Sequence, residues 1–432
     1  MRVAVIGAGA AGLATARALR SVGHDPVVFE RASHVGGTWV YDERTEDDPL
    51  GRNPSNRMHA SMYAALRTNL PRALMSFSGH PFVGDGREFP GHAAVAQYLA
   101  DYADAENLTG SIRFGHDIRS AVPVAPDGRA WRHPSSQSDV VWQITVAHGD
   151  DTSVETFDAV AVCNGHYTVP HVPALTGLDA FPGRVLHSHN YRRRDAFADR
   201  VVVMLGAKAS GFDLSRDVAK VATRVHLCAR DHEGTTTVGT DRNIDLRPSI
   251  AVLHDDASIE LTDGSRIADV DDVILCTGYR YDFPFLDPSA RIVDIVDNNV
   301  EPLWLMLVAV RLPSIAFVGL PFQVVPFALF ERQAAFFAAL LSGRITPCDH
   351  ETREAQWAAR ESELLARGVA RRHFLRLGDE QVEYGNLLAR RSGAPPLPEW
   401  FGPLHQAVRR MRREHPDDYR DRPLPDVGGL GS

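Results

Sequence analysis

The sequence predicts an α/β fold with two Rossmann-like, dinucleotide-binding units, and three observations predict it. Short apolar runs at Arg2–Ile6, Val201–Leu205 and Val273–Cys276 each lead into glycine-bearing turn chemistry. The first two then run into helical apolar patterns. Strand, glycine turn and helix together open a βαβ unit. A chain of 432 residues has room for about two to three domains and a large core.

Composition narrows the classes. Apolar residues make up 44% and charged residues 23%, an ordinary globular balance. The 46 basic residues are outnumbered by 55 acidic ones, a net charge of −9. No basic excess points to nucleic acid or an anionic lipid surface. Four scattered cysteines, Cys163, Cys228, Cys276 and Cys348, form neither a disulfide framework nor a metal spacing. No metal site is expected, and a reducing cytoplasm is the natural compartment. The opening MRVAVIGAGAAG passes straight into a glycine pattern, so no signal peptide is expected. Leu312–Phe330 carries no charge and is long enough to span a membrane. Its Pro313, Pro321, Pro326 and Gln323 instead predict a strand, a loop and a helix start inside a core.

The first glycine motif is Gly7-x-Gly9-x-x-Gly12. It follows an apolar strand and opens a helix carrying Leu13, Ala14, Ala18, Leu19 and Val22. A second strand, Pro26–Phe29, ends in Glu30. Gly7 makes the tight turn, Gly9 admits a pyrophosphate, and Gly12 lets helix and strand pack closely. The pyrophosphate then meets the positive end of the helix dipole, and Glu30 accepts from a ribose diol. Gly36-Gly37-Thr38-Trp39 follows. By physics alone it reads as a loop with one core tryptophan.

The second motif, Gly206-Ala-Lys208-Ala-Ser210-Gly211, lies between the strand Val201–Leu205 and a helix predicted over Phe212–Ala222. Lys208 stands where the middle glycine belongs, and can serve a phosphate as a point charge. The next strand, Arg224–Ala229, ends at Arg230. An arginine there suits the 2′-phosphate of NADP; a solvated surface charge is the alternative.

Elsewhere, Val140–Val146 and Ala159–Cys163 read as strands and Asp127–Asp139 as the loop before them. Phe327–Leu341 reads as a helix, His350–Arg372 as one or two surface helices, and the tail after Pro416 as loose. His187 and His189 are too thin a pair for a metal site, and His187 reads as a structural histidine.

With both motifs placed, the sequence resembles the flavin-containing monooxygenases, of the N- and S-oxygenating kind. Carrying the resemblance are Phe181-x-Gly183-x-x-x-His187-x-x-x-Tyr191, Gly36-Gly37-Thr38-Trp39, Leu66-Arg-Thr68-Asn69-Leu-Pro71, Val162-Cys-Asn164-Gly165-His166-Tyr167, Cys276-Thr277-Gly278-Tyr279, and the stretch from Gly319 through Gln323 to Gln333. It runs from residue 1 to about 345, and the last eighty or so residues add little to it.

The resemblance implies a larger FAD domain (1–167 and 280–432) with a smaller NADPH domain (168–279) inserted, and Asn164-Gly165 and Thr277-Gly278 as crossovers. It implies that NADPH reduces FAD, that O2 adds to give a C4a-hydroperoxyflavin, and that an amine nitrogen or sulfide sulfur of a small molecule takes one oxygen. Asn69 is the implied catalytic residue, since a neutral amide donates to a peroxide oxygen without titrating. A loop cap before Pro71 is its structural alternative. Gly7, Gly9, Ala11, Gly12, Glu30, Gly37, Thr38, Trp39, Thr68, Ile118, Gly206, Lys208, Ser210, Gly211, Arg230, Thr277, Gly278 and Gln323 are the implied cofactor-binding residues. His187 and Tyr191 are implied to position the connection between domains.

Departures from the family pattern sharpen the reading. Lys208 puts the preference for NADPH in question. Tyr191-Arg192 lacks the tryptophan of Baeyer–Villiger relatives, which favours N- or S-oxygenation over oxygen insertion into a ketone, the alternative with the same cofactors. The hydrophobic tail of animal members is absent, so no membrane anchor is expected. A disulfide reductase would need a CxxC, which the sequence lacks. A non-catalytic nucleotide sensor would bind cofactor without turnover, and an amine oxidase would not need the second motif. Fold class favours a homodimer.

Overall fold

A computed structural model describes residues 1–55, 57–83, 86–133 and 139–429. Two parallel-centred sheets organise it. The first has seven strands in the order Leu303–Trp304, Val308–Ala309, Ile315–Phe317, Ala159–Val162, Arg2–Ile6, Asp25–Glu30 and Ile112–Phe114. Arg2–Ile6 runs parallel to Asp25–Glu30 on one side and to Ala159–Val162 on the other. These strands are nearly continuous apolar runs because both faces of the sheet are covered. The helix Ala10–Ser21 lies along the sheet, burying Leu13, Ala14, Ala16 and Leu19, and packs against the helix Pro326–Leu341. An antiparallel sheet of Asp117–Val124, Val141–His148 and Asp151–Phe157 also packs on it. There Phe157 meets Phe29 edge-on at 5.7 Å.

The second sheet has six strands in the order Thr236–Val238, Ile244–Arg247, Arg224–Cys228, Val201–Leu205, Asp272–Leu275 and Arg184–His187. Alternate residues enter different cores. Val203, Leu205, Val273 and Leu275 join Ile250, Ile259 and Leu261 on one face. Val202, Met204 and Ile274 join Leu214 and Val218 of the helix Ala209–Val218 on the other. In both sheets the strand before the glycine loop lies between two parallel neighbours, so each loop opens at a topological switch point.

The expected helix over Phe212–Ala222 is shifted to Ala209–Val218. It starts in the glycine loop itself. It ends where the Asn243 amide donates to the carbonyls of Ala219 and Ala222, fixing a turn. The strand expected over Val273–Cys276 is Asp272–Leu275, because Asp272 is buried by ion pairs to Arg184 (2.6 Å) and Arg200 (3.2 Å). Leu312–Phe330 resolves into the strand Ile315–Phe317, a turn at Gly319, and Pro326 in the first turn of the helix Pro326–Leu341. Of the loop Asp127–Asp139, residues 134–138 lie outside the described residues; Val124 pairs with Ala130 at its start. Among the described residues no helix is long and apolar enough to cross a membrane.

The tail after Pro416 corrects its expectation. Residues 417–422 are docked, not loose. Tyr419 is 1% exposed and edge-on to Phe89 at 5.5 Å. Burying an aromatic ring outweighs the disorder that a polar, Pro/Gly-rich composition favours.

Candidate functional site

The two glycine loops are built alike. Gly7 has φ +104°, and a Cβ there would lie 2.7 Å from the Cys163 carbonyl oxygen. A Cβ on Gly12 would lie 1.9 Å from the Gly7 carbonyl oxygen. In the second loop a Cβ on Gly206 would stand 2.4 Å from the Cys276 carbonyl oxygen, and one on Gly211 only 1.7 Å from that of Gly206. Cys163 and Cys276 each follow the third strand of their unit. The repeat is therefore structural, down to which backbone atom each glycine clears.

Gly9 caps the helix Ala10–Ser21 and Lys208 caps Ala209–Val218, neither with a side-chain hydrogen bond. Ala11 and Ser210 lie in the first turns. Both helices thus present amide donors and the positive end of their dipole to the loop mouth. Gly37 faces Gly9 across a narrow gap: a Cβ on Gly37 would sit 3.0 Å from the Gly9 Cα. The Gly36 amide donates to the Ala8 carbonyl at 3.1 Å and holds the two loops together. The Thr38 hydroxyl is buried with no hydrogen-bond partner among the described residues, and Trp39 packs its ring on the core beside it. The Glu30 carboxylate, 7% exposed, accepts from the Ala8 and Ala32 amides, both at 2.8 Å. It stiffens the loop, and its oxygens keep lone pairs for further donors.

In the second loop Lys208 reaches Asp231 at 3.3 Å, both side chains about four-fifths exposed. Such a pair is worth little and is easily exchanged for a phosphate. Arg230 is exposed and carries no ion pair among the described residues.

The residues expected at the crossovers are fixed by hydrogen bonds to neighbouring backbone. The Asn164 amide donates to the Asp282 carbonyl at 3.1 Å. The Thr277 hydroxyl donates to the His171 carbonyl, and the His171 amide donates to Gly278 at 2.8 Å. Thr277 therefore has its proton engaged. Around this crossing stands a cluster of rings. Tyr167 meets Tyr279 at 5.6 Å and His166 at 4.3 Å; His187 and His189 meet Tyr279 at 5.4 and 5.8 Å. Tyr167 is 47% exposed, yet surrounding protein still raises its phenol above the ordinary tyrosine range. Burial lowers His59 and His189 to about 4 and His187 to about 3, so all three are neutral at pH 7. His187, fully buried, accepts from the His189 amide at 3.1 Å, a structural role. Tyr191 donates to buried Asp217 at 2.7 Å. Among the described residues no group of side chains could hold a metal ion.

Asn69 is exposed, and no hydrogen bond occupies its amide among the described residues. It does not cap the turn before Pro71. Buried Thr68 does that work, its hydroxyl donating to the Leu70 carbonyl at 2.7 Å and its amide to Pro90 at 2.9 Å. Ile118 is buried in the strand Asp117–Val124, its side chain in the large core. Gln323 is exposed with φ +55° in the loop before Pro326–Leu341. The loop is held by Gly319 donating to Gln333 (2.8 Å), Val325 to Gln381 (2.7 Å) and Gly378 to the Gln323 carbonyl (3.1 Å). Gly378 and Gln381, from the last eighty residues, thus help to hold this loop.

Sequence reasoning missed His59. Its Nδ1 lies 3.2 Å from the Thr168 hydroxyl, and its Nε2 is 4.0 Å from where a Gly37 Cβ would be, bridging crossover and loop. Nothing in its sequence neighbourhood signals this. The unpartnered Thr38 hydroxyl, the uncapped helix ends and the Gly9–Gly37 gap, which a Cβ would fill, together fit a dinucleotide's pyrophosphate. The second loop offers a similar cradle and a cation.

The sequence model of the flavin-binding monooxygenase-like family matches residues 1–243 and 234–370. The flavin-containing monooxygenase FMO GS-OX-like 4 of Arabidopsis thaliana is 39% identical, over 97% of this chain and 93% of its own length. The structure of S-allyl-L-cysteine S-oxygenase from Allium sativum superposes with a TM-score of 0.90 at 38% identity, covering 98% of this chain and 95% of that one. That of Tmm from a Pelagibacter strain, 24% identical, shares the fold with a TM-score of 0.82, over 99% of this chain and 95% of that one.

Proposed function

The chain belongs to the flavin-binding monooxygenase-like family, and from that premise we propose that it oxygenates the sulfur of a small thioether, with amine nitrogen as the second substrate class. It is an FAD- and NADPH-dependent monooxygenase. The observation that carries the reading is the duplicated glycine cradle, one copy with a buried acid (Glu30) and the other with exposed cations (Lys208, in a solvent-exposed pair with Asp231, and Arg230). That pairing suits a ribose diol at the first loop and a 2′-phosphate at the second. We take 1–167 and 280–432 as the FAD domain and 168–279 as the NADPH domain.

When bound, the two cofactors supply the hydride and the activated oxygen. The net reaction joins one oxygen atom of O2 to sulfur and reduces the other to water with NADPH and a proton. The chain's residues bind, orient and exclude water. Gly7, Gly9, Gly12, Gly37 and the unpartnered Thr38 hydroxyl hold the flavin nucleotide. Gly206, Lys208, Ser210 and Gly211 hold the nicotinamide nucleotide. Asn69 offers an N–H donor whose charge does not change with pH. His59, beside the Gly37 loop, and His189, beside Tyr279, are neutral at pH 7 and add no cation there.

A sulfide is favoured over a ketone because a neighbour at 38% identity is an S-oxygenase and the whole chain aligns with it. Free cysteines at Cys163, Cys228 and Cys276, all buried, support a reducing, cytoplasmic setting. A homodimer belongs to the same proposal, and light scattering tests it. The test of function is competition. Purified enzyme with NADPH and air receives an S-alkylcysteine, a tertiary amine and a cyclic ketone at equal concentration. Sulfoxide as the dominant product supports the reading; lactone as the dominant product overturns it.

A further inference from the structure

The docked segment 417–421 stands far from either glycine motif in sequence, yet it touches both halves of the site. Arg420 is the centre of it. Its Nε donates to the Thr68 carbonyl at 2.9 Å, and a terminal nitrogen donates to Asp213 at 2.7 Å. Both side chains of that ion pair are under one-fifth exposed. Asp213 lies in the first turns of Ala209–Val218, the helix that opens the second glycine loop. The Thr68 carbonyl belongs to the peptide bond that carries Asn69. One guanidinium thus grips the backbone beside the proposed catalytic amide with one arm and the nicotinamide-nucleotide helix with the other.

The contacts around it leave Arg420 little freedom. Arg67 donates to the Arg420 carbonyl at 2.9 Å, to Asp421 at 2.6 Å and to the Phe89 carbonyl at 3.1 Å. Arg216 of the same helix pairs with Asp417 at 2.8 Å. The Tyr419 ring supports the guanidinium at 4.8 Å. Around Asn69, every backbone and hydroxyl group of Thr68 is engaged: its amide with Pro90, its hydroxyl with Leu70, its carbonyl with Arg420. The Thr68–Asn69 peptide is thus held through its carbonyl by Arg420, with Thr68 itself fixed on the other side by Pro90 and Leu70, while no hydrogen bond among the described residues occupies the Asn69 side-chain amide.

We infer that residues 417–421 form a strap across the two cofactor units, in which Arg420 is a positioning residue that orients the Thr68–Asn69 peptide relative to the NADPH-side helix. The inference rests on the role proposed for Asn69. A fork is required, since one arm must reach a carbonyl and the other a carboxylate in fixed geometry. Lysine offers a point charge and no such fork. Misplacing a donor by about 1 Å costs up to roughly a hundredfold in rate, so releasing one side of this peptide is expected to cost about tenfold.

The test compares Arg420→Ala, Arg420→Lys, Asn69→Ala and the Arg420→Ala/Asn69→Ala double variant, all as flavin-loaded full chains. Two quantities are read: hydrogen peroxide released per sulfoxide formed, and hydrogen–deuterium exchange of peptides covering 64–72 without NADPH. In Arg420→Ala the peroxide-to-product ratio rises about tenfold and exchange at 64–72 quickens severalfold. Arg420→Lys, which keeps the charge and serves if the alanine variant does not accumulate, lies between. In the Asn69→Ala background, Arg420→Ala changes the ratio by less than twofold, because its effect runs through Asn69. Equal fold-changes in both backgrounds would make Arg420 merely structural and overturn the inference. An unchanged ratio and unchanged exchange in Arg420→Ala, with a raised ratio in Asn69→Ala, would refute the strap alone. An unchanged ratio in Asn69→Ala would refute the Asn69 reading, and with it the link to chemistry.

Discussion

Replacing Gly12 by alanine places a methyl 1.9 Å from the Gly7 carbonyl oxygen and 3.0 Å from its carbon. Carbon and oxygen keep roughly 3.3 Å even in close C–H···O contacts. The start of the helix Ala10–Ser21 must therefore move by about 1.4 Å relative to the strand, given that closest approach. No flexible side chain can yield, because the obstructing atoms are backbone. Overpacking of this kind costs about 1–3 kcal/mol. The moved atoms are the amide donors at the helix start, so flavin retention should fall further than stability does. The assay is the flavin-to-protein absorbance ratio of purified variant, followed by reconstitution of the apoprotein with FAD. Gly211→Ala is the companion, with its methyl 1.7 Å from the Gly206 oxygen. It should keep FAD and lose affinity for NADPH. Gly110, whose added Cβ would meet nothing within 4 Å, gives the neutral control. Full flavin occupancy and unchanged melting temperature in Gly12→Ala would refute the close-approach argument. Flavin loss from Gly211→Ala at least equal to that from Gly12→Ala would refute the division of labour between the loops.

Arg230→Ala should raise the KM for NADPH about tenfold and leave that for NADH unchanged, since only NADPH carries the 2′-phosphate; equal effects in steady-state assays with both would show that Arg230 does not read it. Tyr191→Phe removes the donor to buried Asp217, and a hydrogen bond to a charged group is worth about 1.5–3 kcal/mol; denaturant unfolding should show a loss of that order, and no change would mean that Arg194, 2.9 Å from the same carboxylate, suffices alone. Stability should fall on acidification: His187, His189 and His226 are at most 9% exposed and lowered, chiefly by burial, to about 3, 4 and 4. Below pH 6.5 the unfolded chain takes up protons that the folded one refuses until pH approaches 4. The stability from these groups is therefore complete above pH 6.5 and is lost as pH falls through that window, with a slope of up to about 1.36 kcal/mol per pH unit for each histidine. Urea titrations at pH 7.5, 6.0 and 5.0 check this, and a flat profile would contradict it.

What could be read from the amino-acid order was whatever a short stretch dictates by itself. Gly7, Gly12, Gly206 and Gly211 were legible because their constraint is local, a tight turn and a close helix–strand approach within one βαβ unit. The prolines of Leu312–Phe330 argued against a membrane helix because each acts on its own peptide bond. The shift of the second helix was not legible, since its end is set by Asn243 reaching back to Ala219 and Ala222. Tertiary structure alone decided the rest. It left the Asn69 amide free by giving the turn's hydrogen bond to Thr68. It set His59 between the first loop and the crossover, and pinned the Gln323 loop with Gln381. It also brought Arg420 onto Thr68, 352 positions away. Such contacts have no period and no spacing. They exist because burying Tyr419 and neighbouring apolar surface brings distant segments together, and the buried charges then pair wherever that packing has put them.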